Sequence, residues 1–572
     1  MAMKNEFPSP LAQEYIGYVV GGGLKENLRV RLTLSPQRVQ EGGFVVIESG
    51  DWQFYGLVTD LQLGATDPRF ADEQSEARLP AELASLLHGQ TLYTNLEVLP
   101  ALMLESGPEL SDPHYADWRA SHPVDPAIMP IKTIPSHHAR VRLAHAGDVA
   151  TIFGRPGEKG NFIIGSTREQ GHPVCLDLEK FVQRSSGIFG ATGTGKSFLT
   201  RVILAGLIHF NRASVLVFDM HNEYGFDDTT SDTQQRVIGL RTKFPSRVRI
   251  VGLGRGAMIR GQAPDFHLEL AESDIQPEDI EMLTRELNLK ETTPTTLDAL
   301  VHSFGRTHWY HEFKAMKMGA VIETDEGKKI PAPDSVAAWA NEAGVNVTAA
   351  EGLHSKLGRV FNQGYIVPSP AADTLSEIIK ALQAGQHVIL SFGDHESDLD
   401  YLLVTNLLTR RIRQVWEDRT NRFRTHNEEE PRPLVIVVEE AHKLLNREMA
   451  SQTTFSTIAR ELRKYYVTLL IIDQRPSQIY DEVMSQLGTR ISGWLGDEND
   501  IQAVLSGLAG RDALRGMLAR LQPKEEVLLL GWGVPMPIPV RSRRYDERFW
   551  QELLIGKASS RVESDILKEL GF

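Results

Sequence analysis

Residues 190–197 read Gly-Ala-Thr-Gly-Thr-Gly-Lys-Ser, the pattern G-x-x-x-x-G-K-[ST] with one glycine to spare. About 0.02 such matches are expected by chance in a chain of this composition, so coincidence is a poor account of it. Glycines let a short loop wrap until successive backbone N–H groups point inward at a phosphate. The loop must then open a helix, whose N-terminus favours negative charge. The neighbouring sequence obliges: a strand (Gly-Ile-Phe-Gly, 187–190), a helical run (196–210) and a second apolar strand (214–219) follow in order. That order is βαβ, hence an α/β fold with a parallel sheet flanked by helices. In this context Gly190, Ala191, Thr192, Gly193, Thr194 and Gly195 cradle the phosphates of a nucleotide. Lys196 reaches the β- and γ-phosphates, and the Ser197 hydroxyl ligates Mg²⁺.

Further apolar runs read as buried strands: 247–251, 387–392, 434–438, 468–473 and 527–530. They are continuous rather than alternating, as strands covered on both faces are. The run at 434–438 ends in Glu439-Glu440. At the carboxyl end of a parallel strand, the first acid can hold Mg²⁺ and the second can polarise an attacking water. Read alone, two acids ahead of a helix equally suit its dipole; the phosphate loop upstream selects the catalytic reading. The strand 214–219 ends in Asp219, with Glu223 four residues on. Both could lie near the nucleotide, though Asp and Asn are also common at plain strand exits. A helix over 453–466 places Arg460 and Arg463 on one face, and the strand after it ends at Gln474. A polar side chain there could touch the γ-phosphate, and an arginine could neutralise charge in the transition state. A solvated helix face is the alternative for the arginines.

Of 572 residues, 41% are hydrophobic, ample for a large core. Basic residues number 61 and acidic ones 75, a net charge of −14. Such a surface does not coat nucleic acid nonspecifically, although a small basic pore is compatible with it. Cys175 is the one cysteine, so disulfides within the chain and cysteine zinc clusters are excluded. Apolar runs of five or six residues are far too short to span a bilayer, and no secretion signal opens the chain. A cytoplasmic protein without membrane attachment is expected.

Short runs bounded by Gly, Pro, Asp and Ser recur about every ten residues from Tyr15 and read as a small β domain over 1–165. A short helical patch is expected at 80–87. Residues 268–385 read as a mainly helical insertion, with a helix starting at Ser273. The charged stretch 416–432 reads as an exposed linker.

These pieces in this order resemble the HerA family, within the HerA–FtsK group of DNA-translocating ATPases. Gly21–Gly23 and its β-rich surroundings look like that family's N-terminal barrel, a HAS barrel. Phe-Asp-Met-His-Asn-Glu-Tyr (218–224) resembles its Asp-Pro-His-Gly-Glu-Tyr signature, with Met220 and Asn222 in place of Pro and Gly. Val-Val-Glu-Glu-Ala-His (437–442) resembles its Asp-Glu-Ala-His, Glu439 standing in the Asp place. Residues 458–479 resemble the segment with a trans-acting arginine and a sensing Gln, and Leu462 stands where Gly is usual. The resemblance implies a RecA-like P-loop ATPase core over 166–267 and 386–545, and a C-terminal brace over 546–572. It implies Mg²⁺ and ATP at the seams of a homohexamer, with Glu440, Lys196, Arg463 or Arg460, and Gln474 catalytic. Ser197 and Glu439 would hold the metal.

The family implies double-stranded DNA in a central pore. Arg255 and Arg260, set among glycines in 252–261, are candidate DNA contacts, an exposed loop being the plain alternative. Lys314, Lys317, Lys328 and Lys329 are weaker ones. The expected function is an ATP-dependent hexameric DNA translocase or helicase. It would act with a separate NurA-like nuclease, or a sirtuin-like or nuclease effector, in DNA end processing or phage defence. The rival is an ATPase ring that serves as scaffold or switch for a partner enzyme, with little translocation.

Overall fold

The computed structural model describes residues 14–24, 26–66, 92–108, 112–122, 126–158, 160–229, 236–323, 325, 328–426, 428–449, 461–508 and 510–554. The helical patch expected at 80–87, Arg460 and the end of the expected brace (555–572) lie outside them. The chain divides into two compact units. One is Met1–Asp177 with Gly190–Gly195 and Thr489–Arg543; the other is Leu178–Phe189 with Lys196–Gly488 and Arg544–Phe572.

In the first unit, strands such as Glu26–Leu32 bury every second residue, Leu28, Val30 and Leu32. Period two turns one face inward. Six antiparallel strands pair in a ring: Tyr15–Gly23, Arg140–Leu143, Phe44–Ser49, Trp52–Ala65, Leu92–Glu105 and Glu26–Leu32, which returns to the first. Closure leaves this barrel no free edge. Val30, Val45, Val58, Leu96, Val98 and Val141 fill it. Beyond the barrel, Thr489–Ser492, Glu526–Gly531, Ile538–Ser542, Asn161–Thr167 and Pro173–Asp177 form an antiparallel ladder. The run 527–530, expected in a parallel sheet, is therefore antiparallel to its neighbours. A continuous apolar run reports cover on both faces, not direction.

The second unit holds seven parallel strands in the order Phe266–Leu268, Val248–Leu253, His387–Ser391, Ser214–Asp219, Leu434–Glu439, Val467–Asp473 and Ser186–Phe189. The helix Lys196–Phe210 is buried from Leu199 to His209, as a helix apolar on all sides must be. The helix Asp398–His426 runs 29 residues and takes in most of the stretch expected as a linker. Its buried Trp416 donates its indole N–H to the Arg432 carbonyl at 3.0 Å, and Thr420 caps back to the Trp416 carbonyl at 2.7 Å. Two buried side chains per three turns hold the charged run helical.

Residues 268–385 hold the helices Pro277–Glu281, Thr293–Phe304, Trp309–Ala315, Val336–Glu342, Val347–Phe361 and Thr374–Gln383. The first helix starts later than Ser273. Gln276 is the N-cap, in a capping box with Asp279, and Pro277 presets the first helical φ. Among the described residues no helix is long and apolar enough to cross a membrane.

Candidate nucleotide site

Parallel strands all end on the same side of their sheet. The register pairs Phe189 with Asp473, Ile472 with Glu439, and Val438 with Phe218. The strand before the glycine loop, the acidic strand and the strand ending at Asp219 thus finish nearly level. One strand, Val467–Asp473, lies between the first two. In the loop, Gly193 and Gly195 have φ of 76° and 90°, which side chains resist. The Thr194 hydroxyl donates to the Ala191 carbonyl at 2.7 Å and tightens the turn. Lys196 and Ser197 are then the first two residues of the helix. Burial pushes the Lys196 ammonium below the usual lysine value; Glu440, Asp473, Glu439 and Glu223 pull it back. Four acids around one lysine and a helix N-terminus make a site with charge to spare on both sides.

Glu439 is 7% exposed. Its Oε1 accepts from the Tyr224 hydroxyl at 2.5 Å, and its backbone carbonyl accepts from the Tyr401 hydroxyl at 2.8 Å. Its Oε2 is buried with no hydrogen-bond partner, and so is Oε2 of Glu223. Burial, with Asp219 alongside, pushes the Glu439 carboxyl well above the usual range. Unpartnered buried carboxylate oxygens are costly unless a cation meets them, so the residues fit Mg²⁺. Among the described residues no three His, Cys, Asp or Glu side chains could hold a metal by themselves. The ion would share its shell with phosphate oxygens and water, as Mg²⁺ commonly does.

Asp219, expected beside the nucleotide, is turned to its own loop. Its oxygens accept the N–H groups of Glu223 at 2.7 Å and Tyr224 at 3.0 Å; burial pushes its carboxyl up to about 6. It positions the two residues that face Glu439. The Arg201 guanidinium adds a bond to the Glu223 carbonyl at 2.8 Å. Asn222 has φ 56°, which accounts for an Asn where the family signature has Gly: both tolerate left-handed backbone. Met220, in the Pro place, is buried.

Glu440 has φ 46°, a conformation that costs a non-glycine residue about 1–2 kcal/mol. The break in the strand sends the two acids to different partners. Glu440 Oε2 accepts from the Gln474 amide at 3.4 Å and lies 3.6 Å from His442 Nδ1. Asp473 Oδ2 takes the His442 backbone N–H at 2.7 Å and its Nδ1 at 2.9 Å, and this bond raises the imidazole above its usual value. Tyr224, Tyr401, His442 and Asp473 receive no role from the sequence reading. Three of them lie within or beside quoted motifs, but Tyr401 comes from a distant helix with no local signal.

Arg463 is exposed in the 3-10 turn Leu462–Tyr465, and most of the helix expected over 453–466 (453–460) lies outside the described residues. Arg255 is exposed in its glycine-rich loop. Arg260 is engaged instead: it donates to the Asn222 carbonyl at 2.8 Å and pairs with Asp228.

The family model "Helicase HerA, central domain" matches residues 161–412. The DNA double-strand break repair helicase HerA of Saccharolobus solfataricus is 24% identical over 478 residues, covering 83% of this chain and 81% of that protein. The protein of the same name from Sulfurisphaera tokodaii is 23% identical over 544 residues, 93% of each. Among solved structures, VirB4 of Thermoanaerobacter pseudethanolicus aligns with a TM-score of 0.41 at 15% identity, over 68% of this chain and 98% of that one. This chain is an ATP-hydrolysing enzyme that is similar to the HerA helicases over most of its length.

Proposed function

We propose that this protein is a DNA-dependent motor: a ring of identical subunits, a homohexamer, that hydrolyses ATP at its seams and moves along double-stranded DNA. A separate nuclease or defence effector acts on the DNA it delivers. One observation supports this above others. Two adjacent acids at one strand end divide their work, Glu439 presenting a bare oxygen and Glu440 meeting Gln474 and His442. A nucleotide-binding switch without turnover has no need of the second acid.

Lys196 and the glycine loop bind the phosphates. Mg²⁺, when bound, offsets charge on the β- and γ-phosphates; Ser197, Glu439 and Glu223 would hold it. Glu440 orients the attacking water and takes its proton, while Gln474 and His442 steady Glu440. The exposed Arg463 reaches the site of a neighbouring subunit. Arg255 presents charge to the DNA backbone without reading sequence.

ATP turnover measured with and without linear double-stranded DNA tests the reading. DNA raises turnover, and Glu440→Gln lowers it by about 10²–10⁴-fold. Turnover indifferent to DNA would favour the ring scaffold instead.

A further inference from the structure

A glutamate in place of an aspartate carries its carboxylate one methylene further and adds a rotatable bond. At a cation site both changes are liabilities, because an extra torsion spreads the oxygens over several positions. Glu439 is tied at both ends. The Tyr401 hydroxyl holds its backbone carbonyl from the long helix, and the Tyr224 hydroxyl holds Oε1. Tyr224 and Tyr401 are both under 2% exposed, so water does not compete for these bonds. Oε2 alone is left, buried and without a partner. Tyr224 is itself held: Asp219 accepts its backbone N–H, and Arg201 lies 5.8 Å over its ring.

We propose that Tyr224 is the positioning residue for Glu439: its hydroxyl ties back Oε1 and presents Oε2 to the cation that accompanies the nucleotide. The inference rests on the reading of Glu439 as the cation-side carboxylate. Outer groups that orient a metal ligand typically contribute 10–100-fold to metal affinity.

The test uses the full-length protein and a fluorescent, non-hydrolysable ATP analogue, whose affinity is measured across a Mg²⁺ titration. The Mg²⁺ contribution is the ratio of affinities with and without the ion. Tyr224→Phe is expected to raise the half-effective Mg²⁺ concentration about tenfold. Glu439→Asp, too short to keep the hydroxyl, is expected to raise it as well. Adding Tyr224→Phe to Glu439→Asp should then change little, because the pair is already broken. A general packing role for the phenol predicts the same loss in both backgrounds, and that result overturns the proposal. So does an unmoved Mg²⁺ dependence in Tyr224→Phe. If Tyr224→Phe does not fold, Glu439→Asp, which leaves the ring in place, decides alone: an unchanged or lowered Mg²⁺ requirement overturns the proposal. Glu439→Gln separates the two levels. If it leaves the Mg²⁺ dependence intact, the underlying reading of Glu439 fails, whatever Tyr224 does.

Discussion

Left-handed backbone at two residues shapes the site. Glu440, at φ 46°, pivots the acidic pair. Asn222, at φ 56°, turns the loop so that Glu223 and Tyr224 face Glu439. The Asn222 amide also pairs in both directions with the backbone of Gly393, at 3.1 and 3.2 Å. Asn222→Ala loses these bonds and adds strain, an expected destabilisation of about 2 kcal/mol in a denaturant titration. Asn222→Gly loses the bonds without the strain, so it should cost about half as much. Equal losses would mean that the conformation at 222 is not what the residue supplies. Composition and motif order reveal the acids and the lysine, since those residue types are the chemistry. They do not reveal φ, because Glu has no preference that announces a left-handed turn.

At the scale of elements, a buried acid of the helical insertion ties it to the sheet's long helix. Asp279, fully buried, accepts from Asn406 at 2.9 Å and from Arg410 at 2.8 Å. It also closes the capping box of its own helix. Burial raises its carboxyl, and Arg410 is the strongest opposing influence. Asp279→Ala leaves the Arg410 guanidinium only its bond to the Asp274 carbonyl and removes the carboxylate of the capping box. An expected loss of about 3–5 kcal/mol follows from breaking a buried pair on one side, visible as a lowered melting midpoint. A loss below 1 kcal/mol would show that the junction does not depend on this pair. The acids after Ser273 signal a helix in the sequence but not its true start at Pro277, and the partner, more than a hundred residues away, has no local trace.

Across the whole molecule, the reading of a shared site makes Arg463 and Lys196 complementary. Lys196→Ala and Arg463→Ala proteins are each expected to be inactive. Mixed and allowed to exchange subunits, they should regain part of the turnover, because some seams then join an intact cradle to an intact arginine. No recovery, with exchange verified by labelled subunits, would place the arginine outside the reaction. The glycine cradle, the βαβ order around it and the carboxylates at strand ends were legible from residue types and spacing. Local chemistry dictates them: only glycine wraps so tightly, and only continuous apolar runs bury on both faces. Strand order, the antiparallel ladder joining residues 161–177 to 489–542, and the tyrosines that hold Glu439 came from the tertiary structure alone. They depend on contacts between residues tens to hundreds of positions apart, and no local pattern encodes which distant surface a buried side chain will meet.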